Sequence, residues 1–124
     1  MALTLQHRVG NGGANIFDFN TRTYVCGITL VDMVRTEIGD GELTIEVERV
    51  KERNGEPYIV KKDIKFYEKD RDAKATNILN GLVLTIKEWG SMTARITYHD
   101  PYKTYKILRK EIQGSEEARE RRYL

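Results

Sequence analysis

The sequence predicts an α+β domain, an antiparallel sheet built from β-hairpins and closed by a C-terminal helix. Three observations carry this expectation. Two β-rich arms, from Glu42 and from Glu56 to Tyr67, flank Asn54-Gly55, a dipeptide suited to a type I′ turn because both central residues take positive φ. A second pair of arms, Leu82 to Trp89 and Met92 to His99, flanks Gly90-Ser91, where a leading glycine suits a type II′ turn. Beyond Asp100-Pro101, a favourable helix start, Tyr102, Tyr105, Leu108 and Ile112 fall on one helical stripe.

The 124 residues fit a single domain, 1–124, with 115–124 as a C-terminal extension. With 32% charged and 40% hydrophobic residues, the composition is that of a soluble globular protein and is too apolar in its patterned segments for disorder. A net charge of only +2 excludes a strongly basic nucleic-acid coat, so any anion site must be local. The single Cys26 excludes an intramolecular disulfide framework and, with two histidines, argues against a structural zinc site. No cofactor is implied. No 18-residue apolar run exists and MALTLQHRVG lacks the features of a signal peptide, so a cytoplasmic protein with no membrane partner is expected.

In chain order, Leu3, Leu5 and Val9 alternate with polar residues and predict a short edge strand. Gly10-Asn11-Gly12-Gly13-Ala14-Asn15 predicts a tight loop; it either simply joins strands or converges successive amides on an anion. It is not a Walker loop, because no Gly-Lys-Ser/Thr follows. Ile16 to Phe19 and Arg22 to Ile28 read as strands joined through Asn20-Thr21, with Cys26 a small buried apolar residue. Leu30, Val34 and Ile38 recur every four residues, which permits a short helix, although the valine-rich run can equally stay extended.

The first hairpin can be worked out residue by residue. A two-residue turn makes Arg53 face Glu56, and counting back sets Leu43 opposite Phe66, Ile45 opposite Ile64, Val47 opposite Lys62 and Arg49 opposite Val60. The other face pairs Glu48 with Lys61 and Thr44 with Lys65, but also the like charges Glu46 and Asp63. From Glu68 to Thr76, ending at Asn80-Gly81, a short surface helix is expected. In the second hairpin the same counting sets Trp89 opposite Met92, Lys87 opposite Ala94, Thr85 opposite Ile96 and Val83 opposite Tyr98. Both of its faces are partly apolar, so something should cover both sides; the closing helix covers one and either the N-terminal segment or a second subunit the other, and a homo-oligomer of at least two copies is expected. Gly114 ends the closing helix and Ser115 caps a last short one.

For catalysis the residues offer little: His7 and His99 are isolated, there is no nucleophile motif, and no carboxylate pair stands at a productive spacing. The expectation is that the protein is not an enzyme. Pro101 to Ile112 carries Lys103, Lys106, Arg109 and Lys110 against the single Glu111, with Tyr102 and Tyr105 beside them. That face either stacks a base while Arg109 holds a phosphate, or is an amphipathic helix with core tyrosines and solvated lysines.

The Gly10–Asn15 loop, the compact strands and YKTYKILRKEI from Tyr102 to Ile112 together resemble the phage anti-Thoeris proteins, which sequester the cyclic ADP-ribose signal of bacterial TIR-domain defence enzymes. The resemblance implies a non-enzymatic sponge in the host cytoplasm, at least dimeric, that encloses an intact nucleotide through aromatic stacking and arginine contacts. It carries Arg109 over as a ligand contact; where the family pattern suggests a second arginine one turn further on, this chain has Gln113. The candidate ligand-binding residues are thus Arg109, Tyr102, Tyr105, Lys106, Asn11, Gly12, Gly13 and Asn15. The alternatives are a single-stranded nucleic-acid binder that uses Arg95, the two tyrosines and the lysines, or a structural oligomerisation module.

Overall fold

The computed structural model describes residues 2–10, 13–35, 40–70 and 74–109, and these residues are all-β. Side-chain alternation with period two decides the architecture. In β4 (Gly41–Arg53), Leu43, Ile45 and Val47 are buried on one face while their neighbours are half-buried on the other. In β7 (Leu82–Trp89), Leu82, Leu84 and Ile86 do the same, as do Ala94, Ile96 and Tyr98 in β8 (Thr93–His99). Each of these faces needs an apolar partner, and each finds it in the other sheet.

The remaining strands are β1 (Ala2–Arg8), β2 (Gly13–Asp18), β3 (Tyr24–Arg35), β5 (Glu56–Tyr67), β6 (Lys74–Leu79) and β9 (Tyr105–Arg109). They form two antiparallel sheets, four strands in the order β1-β8-β7-β6 and five in the order β5-β4-β3-β2-β9. The chain starts in the first sheet, runs a four-stranded meander in the second, returns for β6 to β8, and ends the described part with β9 beside β2. Inner residues of both sheets, from Leu5, Ile16, Ile28 and Ile45 to Ile78, Leu84 and Ile96, make one apolar core. The architecture is a two-layer β-sandwich.

The first hairpin has the register expected, from Arg53 opposite Glu56 back to Leu43 opposite Phe66. Asn54 and Gly55 both take positive φ, 54° and 81°, as a type I′ turn requires. Its wet face carries ion pairs of Lys65 with Glu42 at 2.9 Å and of Lys61 with Glu48 at 3.9 Å. The like-charged Glu46 and Asp63 do sit opposite one another; burial on the other face outweighs their repulsion. The strand expected from Leu3 to Val9 is β1, and it does lie at a sheet edge.

Two expectations are overturned. No closing helix is present among the described residues: Tyr105–Arg109 is a strand, so the class is all-β and not α+β. The Asp100 carboxylate accepts from the Thr104 and Tyr105 amides, two residues later than a helix cap would, and Lys103 takes φ 52°, outside the helical region. Pairing with the open side of β2 then gives the following amides their partners. The segment read as a surface helix after Tyr67 becomes β6, joined to β7 by Asn80-Gly81 with Leu79 opposite Leu82. Of the two readings open for Leu30 and Val34, the extended one holds: both belong to β3, which runs through two bulges where Val25 and Val31 have no opposite number, while Ile38 lies outside the described residues.

The second hairpin differs by register. Trp89 faces Ala94, Ile86 faces Ile96 and Leu84 faces Tyr98, with an irregularity between Ile86 and Glu88. The Gly90 amide donates to the Thr93 carbonyl at 2.7 Å, so the turn is wider than the two residues expected. This shift puts Leu84, Ile86, Ala94, Ile96 and Tyr98 all on the core side and leaves Thr85 and Thr97 on the outer face. The last short helix, Ile112, Gln113 and residues 115–124 lie outside the described residues.

Cutting Ile45 to alanine should lower the unfolding free energy by about 2–5 kcal/mol, read as the urea midpoint shift at unchanged slope. Gly55→Ala, which strains a positive-φ turn but opens no cavity, should lower it by only about 1 kcal/mol.

Candidate functional site

Strand β9 joins the second sheet only through β2, and this brings two of the sequence-predicted segments together. Ala14 faces Arg109, Asn15 faces Leu108, Phe17 faces Lys106 and Asp18 faces Tyr105. Gly13 and Asn15 are therefore strand residues next to the β9 cations and not parts of an open loop. Asn11 and Gly12 lie outside the described residues.

The extended backbone also separates what a helix would have gathered. Tyr105 shares the inner phase with Ile107 and Arg109, whereas Lys106 and Leu108 point to the outer face. Arg109 stands four residues beyond Tyr105, roughly 13 Å along the strand. Tyr102 lies in the turn before β9, 79% exposed, with its ring against Gly81. The aromatic and basic stripe on which the nucleic-acid alternative rested is thus divided between a turn and two strand faces.

On the outer face Phe17 and Tyr24 meet edge to face, with ring centroids 5.9 Å apart. The Tyr24 hydroxyl donates to Glu48 at 2.8 Å, and burial together with this carboxylate pushes its pKa far above the ordinary value. The Lys106 ammonium is pushed the other way, first by desolvation and then by the like charge of Arg22.

An apolar opening lies at the mouth of the sandwich, where β1 ends one sheet and β9 ends the other. Here the described residues leave the inner faces uncovered. A cleft of about 410 Å³ is lined by Ala2, Leu3, Phe19, Tyr98, Asp100, Lys103, Tyr105 and Ile107, so most of its wall is apolar or aromatic. Leu3 has the inward phase of Leu5 but remains 40% exposed at the rim of this cleft. Phe19, just past β2, is 55% exposed.

The polar groups of the cleft are placed by one turn. Asp100-Pro101-Tyr102-Lys103 closes with the Lys103 amide donating to the Asp100 carbonyl at 3.1 Å, with proline in its favoured second position. The Asp100 carboxylate accepts from the Thr104 amide at 3.1 Å and the Tyr105 amide at 2.9 Å. The Tyr105 hydroxyl donates to the Asn80 carbonyl at 2.9 Å, which ties β9 to the far end of the other sheet. Burial, then the charges of Asp100 and Asp18, raise the Tyr105 pKa. Lys103 brings a cation to the cleft.

Of the described residues predicted to bind a ligand, Tyr105 alone lines this cleft. Leu3 and Phe19 were missed, since a lone aromatic at a turn and a leucine on an edge strand carry no motif, whereas Lys103 was read as part of the basic stripe without being placed among the ligand contacts. The two histidines stand apart, as the sequence suggested. His7 Nε2 meets the Tyr98 hydroxyl at 2.7 Å in the core, and His99 meets the Thr85 hydroxyl at 3.2 Å. Among the described residues no three His, Cys, Asp or Glu side chains gather as a metal site, and no helix is long and apolar enough to cross a membrane.

Comparison with known proteins finds no matching family model, no matching curated protein and no matching solved structure. The cleft must be read from its own chemistry.

Stability should fall as pH rises above 10.0, the ordinary tyrosine value, because the unfolded chain then releases the Tyr24 proton while the folded chain keeps it. Glu48→Gln, which removes the charge that helps hold that proton, should flatten the fall measured by urea unfolding across this range. Asp100→Ala should cost about 1–3 kcal/mol by stranding two amides, with faster hydrogen exchange at Tyr105.

Proposed function

We propose that this chain is a non-enzymatic binding protein that holds a small ring-bearing anion in the cleft between β1 and β9. The observation that carries the reading is the cleft itself. Its volume of about 410 Å³ falls within the roughly 300–1,000 Å³ of small-molecule sites. Phe19 and Tyr105 offer aromatic surface to a planar ring above the buried Tyr98, and Lys103 offers a charge to an acidic substituent.

The ligand class that combines these demands, and the one the sequence resemblance implies, is a nucleotide signal of the cyclic ADP-ribose type, sequestered intact to block anti-phage immunity. Sequestration asks for burial and charge pairing without proton transfer. The Asp100 carboxylate is already committed to two backbone amides, which suits a structural part better than a general base. Arg109 belongs to this reading only as a contact beyond the cleft's described lining, since its strand carries it away from Tyr105.

Purified protein exposed to lysate from cells with active TIR signalling, then heat-denatured, should release an intact cyclic ADP-ribose isomer near one per binding site, read by mass spectrometry. Recovery of only a hydrolysed product, or of nothing from folded protein, would overturn the reading. Phe19→Ala and Lys103→Glu should each weaken capture at least tenfold with the unfolding midpoint little changed. Arg109→Ala should weaken it less.

A further inference from the structure

The four sheet edges differ in how they meet solvent. Strand β5 presents Lys61, Lys62 and Lys65 and begins with Pro57 in second place, the charges and proline that keep an edge from pairing with another chain. Strand β9 carries Lys106 and Arg109 in five residues. Strand β6 pairs irregularly with β7 between Ala75 and Leu79. Strand β1, ALTLQHR, carries no charge before Arg8 and no proline, and it borders the uncovered apolar cleft.

Its hydrogen-bonding phase is fixed by its neighbour. The Val9 amide donates to the Met92 carbonyl at 2.9 Å, in the same register that pairs β1 with β8, so Leu3, Leu5 and His7 turn their backbone groups toward β8. Ala2, Thr4 and Gln6 then turn theirs outward. The Gly10 amide follows the outward phase and donates to Leu30 of β3 at 3.0 Å, which closes that end of the edge, while among the described residues no strand pairs with the Ala2 end.

We propose that a second copy of this chain pairs with β1 along this edge, antiparallel about a two-fold axis through Thr4. The pairing joins two four-stranded sheets into one and deepens the expectation of more than one copy in the functional reading above. Alignment at Thr4 is self-complementary. The outward backbone groups of Thr4 meet those of Thr4 in the second copy, Ala2 meets Gln6, and on the inner face Leu3 meets Leu5, with no like charges opposed. On the outer face Thr85, Thr97 and Thr4 already stand in one row across the sheet, with Thr4 and Thr97 hydroxyls 2.8 Å apart. The two-fold continues that row into the second copy.

The same symmetry completes the cleft. An axis perpendicular to the joined sheet keeps both five-stranded sheets on one side of it. The two β9 strands then face one another over a floor of paired β1 strands, and Leu3 and Phe19 of each copy meet the other's open mouth. A site open in one chain becomes an enclosed chamber lined by two, with Lys103 from each.

Sedimentation of the intact chain should give a particle of twice 14.4 kDa. Thr4→Lys sets two ammonium groups against each other at the axis and should yield a folded monomer with an unchanged circular dichroism spectrum. Thr4→Cys should form a covalent dimer on mild oxidation or with a short bis-maleimide, since paired strand residues lie about 5.5 Å apart; the wild-type protein, whose Cys26 is buried, should not. A monomer at every concentration, or a dimer that Thr4→Lys leaves intact and Thr4→Cys does not link, would overturn the proposal. The ligand reading has its own test: a monomeric Thr4→Lys protein that still captures nucleotide would sink the shared chamber alone, whereas a dimer that releases none would sink the ligand alone.

Discussion

Everything in this fold depends on the burial of two alternating apolar faces against each other. Neither sheet has a second way to keep its inner residues from water: Leu43, Ile45 and Val47 on one side need Leu84, Ile86 and Ile96 on the other. Each fully buried aliphatic side chain contributes about 1.5–3 kcal/mol, far more than the exposed ion pairs of Lys65 and Lys61 add on the wet face of the hairpin. That disparity explains why the like-charged Glu46 and Asp63 tolerate their register, and why no helix is needed to cover the sheet.

The crossings of the chain follow from the same demand. A meander of four strands builds the second sheet, and the chain must then return to supply the surface that covers it. β1 and β9, first and last of the described strands, end up at the same flank, each at the edge of a different sheet. Among the described residues the core is open there, beside the turn that projects Tyr102 into solvent. The cleft is thus a consequence of topology, and its chemistry is core chemistry left exposed: leucine, isoleucine, phenylalanine and tyrosine, with Lys103 as its cation.

Edges and cleft belong together in this architecture. The long outer strand β5 is guarded by lysines, whereas the neutral β1 lies beside the apolar opening. An edge left unguarded next to uncovered core surface invites an added strand, and the added strand of another copy is the one whose inner residues match.

By itself the sequence determined the first hairpin, residue against residue, because Asn54-Gly55 fixes the turn and period-two alternation fixes the face. It also determined that β1 is an edge strand and that Asp100-Pro101 ends β8. Asn80-Gly81 between apolar runs carried a hairpin signal as well, one that the alanines and acidic residues before it outweighed in favour of a helix. What only the tertiary structure decided is the fate of Tyr105 to Arg109. Its apolar residues fit a helical stripe and a strand about equally, and local preference could not choose between them. The choice was made by the unpaired side of β2, distant by some ninety positions along the chain, which offered hydrogen-bond partners to β9. With that choice Tyr105 entered the cleft, Lys106 turned to the opposite face and Arg109 moved away, so the site was assembled by pairing between distant segments that no local pattern records.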